Sequence, residues 1–142
     1  MFKFRTMPID SESNSGPVWA RHGEKRATPL GTLLRRTSLD ELPQLLNVLR
    51  GDMSLVGPRP HALSHDREFE RRISIYARRH NVTPGITGWA QVHGLRGETD
   101  TDEKMRQRVE HDLHYIDNWS VLLDLQILIR TVFSRASYRN AY

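Results

Sequence analysis

The stretch 119-WSVLLDLQILIRTVF-133 constrains the chain most, because as a helix it is apolar on nearly every side. A helix of that kind is either deeply buried or meets lipid. It falls short of the roughly 18 uncharged residues needed for a span, and it carries Asp124 and Arg130. Asp124 in such surroundings needs a partner, a metal or a face open to water, since burying an unpaired charge is costly. The whole chain is only 37% hydrophobic, low for an ordinary globular domain.

With 142 residues the simplest organisation is one domain, residues 1–142. The net charge of +4 favours an anionic partner: a nucleic acid, an anionic lipid or a phosphorylated substrate. Charge does not choose among them. The absence of cysteine excludes disulfides, thiolate chemistry and Cys-based zinc sites. Met1-Phe2-Lys3-Phe4-Arg5 is charged at once and does not read as a signal peptide.

Along the chain, residues 2–6 alternate apolar and basic, which predicts a short strand. Residues 8–29 read as a loop rich in Ser, Gly and Pro, and 30–36 as a brief helix. Leu42, Leu45, Leu46 and Leu49 give the next helix one apolar face, and Gly51 ends it. Phe69, Ile73 and Tyr76 mark a weaker helical pattern over 64–80. Residues 81–100 read as loop with short strands, and Met105, Val109, Leu113 and Ile116 predict an amphipathic helix over 101–117. The expectation is a helix-rich α/β domain with a small sheet that includes residues 2–6.

The chemistry concentrates in 35-RRTSLDELPQLLNVLRGDMSLVGPRP-60. Ser38 and Glu41 have capping-box spacing, whereas Pro43 suits the first position of a helix; both readings put Asp40 and Glu41 at a helix N-terminus. Acids are common in any first helical turn. Two adjacent carboxylates point about 100° apart, which suits a divided role: one attacks a phosphorus atom while the other holds Mg²⁺. Arg35, Arg36 and Arg59 are candidate phosphate clamps, because guanidinium binds phosphate bidentately. Pro58 and Pro60 restrict the backbone on either side of Arg59. The seven histidines, His61 and His65 among them, form no convincing zinc pattern, and His111 and His114 fit a polar helix face. Trp89 and Trp119 read as packing or interface anchors.

Together, 3-KFRTM-7, residues 34–60, 79-RHNVTPGITGWAQVHGLRGETDT-101 and 109-VEHDLHYIDNWSVLLDLQILIRTVF-133 resemble the bacterial sugar transferases that act on polyprenyl phosphate, the monotopic phosphoglycosyl transferases. The GWAQVHGLRGETDT stretch and the closing Ala141-Tyr142 look most like the undecaprenyl-phosphate glucose phosphotransferase branch. The resemblance implies that Asp40 is the nucleophile on a UDP-sugar, that Glu41 binds Mg²⁺, and that Arg35 and Arg59 contact phosphate. Asp124 and Arg36 would be supporting residues. The implied acceptor is undecaprenyl phosphate, in exopolysaccharide or capsule synthesis at the cytoplasmic face of the bacterial inner membrane.

The family normally carries a membrane-inserted helix ahead of the KFRTM motif, so the chain looks like an N-terminally truncated catalytic portion. Residual contact with the inner-membrane lipid surface would then fall to the 120–133 helix and nearby basic residues. Two rival readings remain: a catalytically inactive fragment, and a basic nucleic-acid-binding module. The second lacks any helix with base-reading side chains, and no nucleic-acid partner is expected.

Overall fold

The computed structural model describes residues 1–8, 27–60, 69–95 and 101–133. The first helix, α1 (Pro29–Arg36), starts where the sequence directs it: the Thr28 hydroxyl accepts from the Gly31 N–H at 3.0 Å, and Pro29 takes the first position. A 3₁₀ turn over Leu39–Glu41 and a short helix α2 (Gln44–Leu49) follow. Gly51, with φ of 80°, closes α2. Strand β1 (Ser54–Val56) pairs in parallel with β2 (Gly85–Thr87), with Ser54 opposite Gly85 and Val56 opposite Thr87. A parallel pair needs a long crossover, and this one contains a helical turn at 69–72 and a 3₁₀ segment over Tyr76–Asn81. After β2 come α3 (Trp89–Val92), α4 (Asp102–Asp117, capped by Thr101) and α5 (Val121–Phe133).

Helix α4 serves two apolar clusters. Phe69, Ile73 and Tyr76 pack on Met105, Val109 and Leu113 to form the first. Val56, Val92, Tyr115 and Ile127 form the second, which ties the sheet to α3, α4 and α5. The helix-rich α/β class and the periodic positions of α4 are therefore as expected.

Three local expectations change. Residues 2–6 do not join the sheet, because their backbone is engaged elsewhere: Phe4 N–H donates to the Asp40 carbonyl at 2.9 Å, and Thr28 N–H donates to the Thr6 carbonyl at 3.0 Å. The segment is a strap tied to the 3₁₀ turn and to the residue that caps α1. No capping box forms at Ser38, which adopts a left-handed conformation (φ 57°) without a side-chain cap, and α2 begins after Pro43 instead. Deep burial of α5 is also set aside: Ile127 is buried, but Leu122, Leu125, Ile129, Val132 and Phe133 are exposed. No helix among the described residues is long and apolar enough to cross a membrane.

The amphipathicity of α2 is inverted. Leu42, Leu45, Leu46 and Leu49 are exposed, while Gln44 and Asn47 are 1% and 2% exposed. Gln44 and Asn47 follow Asp40 at four and seven residues, on the helix face that continues the acid pair. The polar side of α2 thus lines the interior, and its leucines face out.

Candidate active site

Asp40 and Glu41 are buried in the 3₁₀ turn, at 3% and 7% exposure. Two carboxylates so deep require compensating charge. Lys3 Nζ lies 3.0 Å from Asp40 Oδ2 and 3.4 Å from Glu41 Oε1. Arg59 pairs bidentately with Glu41: Nη1 donates to Oε2 at 3.3 Å and Nη2 donates to Oε1. The residues come from three separate segments, namely the strap, the turn before α2 and the loop after β1. Arg35 joins from α1, where its Nε donates to the Thr6 hydroxyl at 2.8 Å, so it is anchored on the strap that carries Lys3. Arg36 is exposed and takes no part in the cluster.

The loop bearing Arg59 is held by close backbone contacts. Gly57 N–H donates to the Thr87 carbonyl at 2.8 Å, and Gly85 N–H donates to the Pro58 carbonyl at 2.9 Å. A Cβ on Gly85 would sit 2.1 Å from the Gly57 nitrogen, so only glycine allows the two segments to meet this way.

Asp124 is not in the carboxylate cluster. It accepts from the Tyr115 hydroxyl at 2.8 Å and from Trp119 Nε1 at 3.2 Å, which meets its need for partners within the protein. The Tyr115 hydroxyl also lies 3.4 Å from the Val56 carbonyl, at the end of β1 just ahead of the Arg59 loop. Burial first, then the hydrogen bond and negative charge of Asp124, push the Tyr115 phenol well above its ordinary range, so it stays a neutral donor.

Among the described residues, no histidine takes part in this cluster. His93, His111 and His114 gather instead around Trp89 and Arg130, with Arg130 stacked 5.4 Å from the Trp89 ring centre. His61 and His65 lie outside the described residues, as do Ala141 and Tyr142. No group of three side chains suited to a metal occurs among the described residues.

Lys3 and Tyr115 carry contacts that reading the residues singly did not assign. Both stand inside motifs already singled out, so only the pairing was missing. Lys3 reaches the acid pair while its neighbours Phe2 and Phe4 are exposed.

An acid pair neutralised by a lysine and a bidentate arginine suits chemistry on phosphate, where negative charge must be gathered and held. Comparisons with known proteins point the same way. Residues 1–137 match the sequence pattern described as bacterial sugar transferase. The chain is 52% identical over 142 residues to the UDP-glucose:undecaprenyl-phosphate glucose-1-phosphate transferase of Escherichia coli K12, covering all of this chain and 30% of that protein. It is 54% identical over 142 residues to the protein so named from Caulobacter vibrioides, covering 53% of it. A UDP-N-acetylgalactosamine-undecaprenyl-phosphate N-acetylgalactosaminephosphotransferase of Aeromonas hydrophila is 45% identical over 133 residues, which are 93% of this chain and 30% of that one. The chain thus spans between 30% and 53% of the length of these relatives. The match along almost its whole length is decisive for kinship: the chain belongs to the bacterial sugar transferase family.

Proposed function

We propose that this chain is the catalytic portion of an enzyme that transfers a sugar 1-phosphate, glucose 1-phosphate foremost, from a UDP-sugar to undecaprenyl phosphate. The observation that carries the reading is Asp40, buried beside Lys3 and adjacent to the Glu41–Arg59 pair. An Asp40 carboxylate oxygen attacks the β-phosphorus of the UDP-sugar. The bond from that phosphorus to the oxygen bridging the two phosphates breaks, and UMP leaves with the electron pair. A sugar-phosphoryl group remains as an acyl phosphate on Asp40. A phosphate oxygen of undecaprenyl phosphate then attacks the same phosphorus, which frees Asp40 and forms the lipid diphosphate sugar. Lys3 and Arg59 supply positive charge where the diphosphate must sit, and Arg35 on α1 is bonded to Thr6 of the strap that carries Lys3.

Mg²⁺ fits the donor set. It takes hard oxygens, with one or two carboxylates completed by phosphate and water, and Asp40 and Glu41 are donors of that type. Glu41 would hold the cation, leaving Asp40 to attack, and the cation would offset charge on the leaving phosphate.

Access to a lipid acceptor is supported by the outward leucines of α2 and the exposed apolar side of α5. An exposed apolar helix face of this kind suits a lipid surface, which in this reading is the cytoplasmic leaflet of the bacterial inner membrane. The product would feed exopolysaccharide or capsule synthesis.

The test is exchange of labelled UMP into UDP-glucose, with Mg²⁺ and without any lipid acceptor. A covalent intermediate permits that exchange. The expected result is exchange by the parent, none by Asp40→Asn, and loss on chelation that added Mg²⁺ reverses. Exchange that survives Asp40→Asn would remove Asp40 from the reaction. Lipid-dependent UMP release without any exchange would exclude the two-step route.

A further inference from the structure

The loop that presents Arg59 to Glu41 is gripped from behind by a second, buried arginine. Arg79 Nη2 donates to the Arg59 carbonyl at 2.6 Å, and its Nη1 donates to the Tyr76 hydroxyl at 2.9 Å. The same guanidinium lies 5.1 Å from the centre of the Tyr76 ring. Nη2 also stands 2.9 Å from Asp112 Oδ2 on α4, with the two side chains 3% and 2% exposed. Arg108, also buried, comes one turn before Asp112 on α4 and adds positive charge beside it.

This polar unit sits against an otherwise apolar cluster of Phe69, Ile73, Met105, Val109 and Leu113. Stability alone does not require it, because a buried ion pair is often no better than a well-packed apolar pair. An apolar pair could not bond to the Arg59 carbonyl. The loop is anchored at Gly57 and Pro58 by the two ends of β2, and at Arg59 by Arg79. Arg79 is the described contact that holds the Arg59 backbone itself, beyond the Pro58 end, while Glu41 holds the Arg59 side chain.

We infer that Arg79, locked in place by Asp112 and Tyr76, is a positioning residue that fixes the aim of Arg59 at the diphosphate. The inference rests on Arg59 being a phosphate-binding group in the proposed reaction. Arg79 touches no substrate and acts through the Arg59 backbone. A guanidinium suits the task because its planar fork spans several acceptors in fixed directions, whereas an ammonium is a point charge.

Two variants separate positioning from stability. Arg79→Met removes both charge and fork. Arg79→Lys keeps a charge opposite Asp112 but cannot span Asp112, Tyr76 and the Arg59 carbonyl at once. Hydrogen exchange over residues 54–60 reads the loop without reference to activity. Pro58 and Pro60 carry no amide, so within 57–60 only Gly57 and Arg59 report. Arg79→Lys is expected to stay folded and melt several degrees below the wild type, yet exchange at Gly57 and Arg59 about tenfold faster or more, with α5 unchanged.

In the UMP exchange assay kcat/KM should fall about a hundredfold, the scale of a misplacement of about an ångström. In an Arg59→Met background, Arg79→Lys should add little further loss. Unchanged exchange at Gly57 and Arg59, or an equal further loss in the Arg59→Met background, overturns the positioning role. If the wild type exchanges no UMP, the proposed reaction fails, while amide exchange still decides whether Arg79 positions the loop.

Discussion

Asp112 makes the stability of this protein depend on pH in an unusual direction. It is 2% exposed on α4, and burial pushes its carboxyl up from 3.8 to about 6. Arg79, Arg108 and, more weakly, His111 pull it down without cancelling the desolvation. The folded protein therefore holds a proton that the unfolded chain releases between those values. The stabilising contribution is complete below the unfolded value and is lost as pH rises through about 6. Between about pH 7 and about pH 4.5 the linkage amounts to about 2 kcal/mol in favour of the folded state at the lower pH. Asp112→Asn has no proton to gain.

Urea unfolding of both proteins at the two pH values gives a difference of differences from which most other titrating groups cancel. The wild type should gain about 2 kcal/mol on the variant as pH falls, or roughly 1–2 M in midpoint at the slope of a small domain. A double difference near zero would mean that the arginines fully offset burial. A gain by the variant would mean that Asp112 folds as a firmly ionised partner of Arg79, and the reasoning from desolvation would be refuted.

Four further outcomes follow from the geometry. Lys3→Met leaves Asp40 and Glu41 without their shared ammonium, and UMP exchange should fall by about two to three orders of magnitude, as when a single charge-stabilising donor is lost. Gly85→Ala drives a Cβ to 2.1 Å from the Gly57 nitrogen; it should destabilise by about 1–3 kcal/mol in urea and lower exchange by moving Arg59. Tyr115→Phe leaves Asp124 without its 2.8 Å donor, and should cost about 1–2 kcal/mol in the same experiment. Leu122→Glu or Ile129→Glu, each at an exposed position of α5, should weaken co-sedimentation with anionic vesicles about tenfold or more while leaving the melting temperature near that of the wild type.

Much of this architecture was readable from periodicity, and the limits of periodicity explain the rest. Met105, Val109 and Leu113 fall on one stripe of α4, as their spacing suggested. They pack on Phe69, Ile73 and Tyr76, which are spread over a helical turn at 69–72 and a 3₁₀ segment from Tyr76 rather than lying on one helix. Asp112 lies on the same stripe, seven residues after Met105, so a buried acid was implicit in the pattern, but its partner Arg79 is remote in sequence. Alternation in residues 2–6 suggests a strand, yet says nothing about where the backbone hydrogen bonds go; they go to Asp40 and Thr28 rather than to a strand, and no strand forms there. Asp40, Glu41 and Arg59 do converge, while Asp124 serves Tyr115 and Trp119 elsewhere. A motif groups residues by sequence, and only packing decides which of them share a site.

The charge of the cluster gives a reason for its proposed need of metal. Lys3 and Arg59 balance Asp40 and Glu41 one for one, so these four groups have no net positive charge to offer a diphosphate. A substrate bearing two phosphate charges must bring or recruit compensation, and a Mg²⁺ ion held by Glu41, as proposed, would supply two units at once. Arg59→Lys keeps the formal balance but loses the bidentate grip on Glu41. If balance alone governed the site, the lysine variant would exchange UMP at the wild-type rate and saturate at the same Mg²⁺ concentration. If Arg59 orients Glu41 for the cation, half-saturating Mg²⁺ should rise about tenfold, as when a residue that orients a metal ligand is lost. An Mg²⁺ titration of exchange by both proteins separates the two, and an unchanged half-saturation would remove Glu41 orientation from the account.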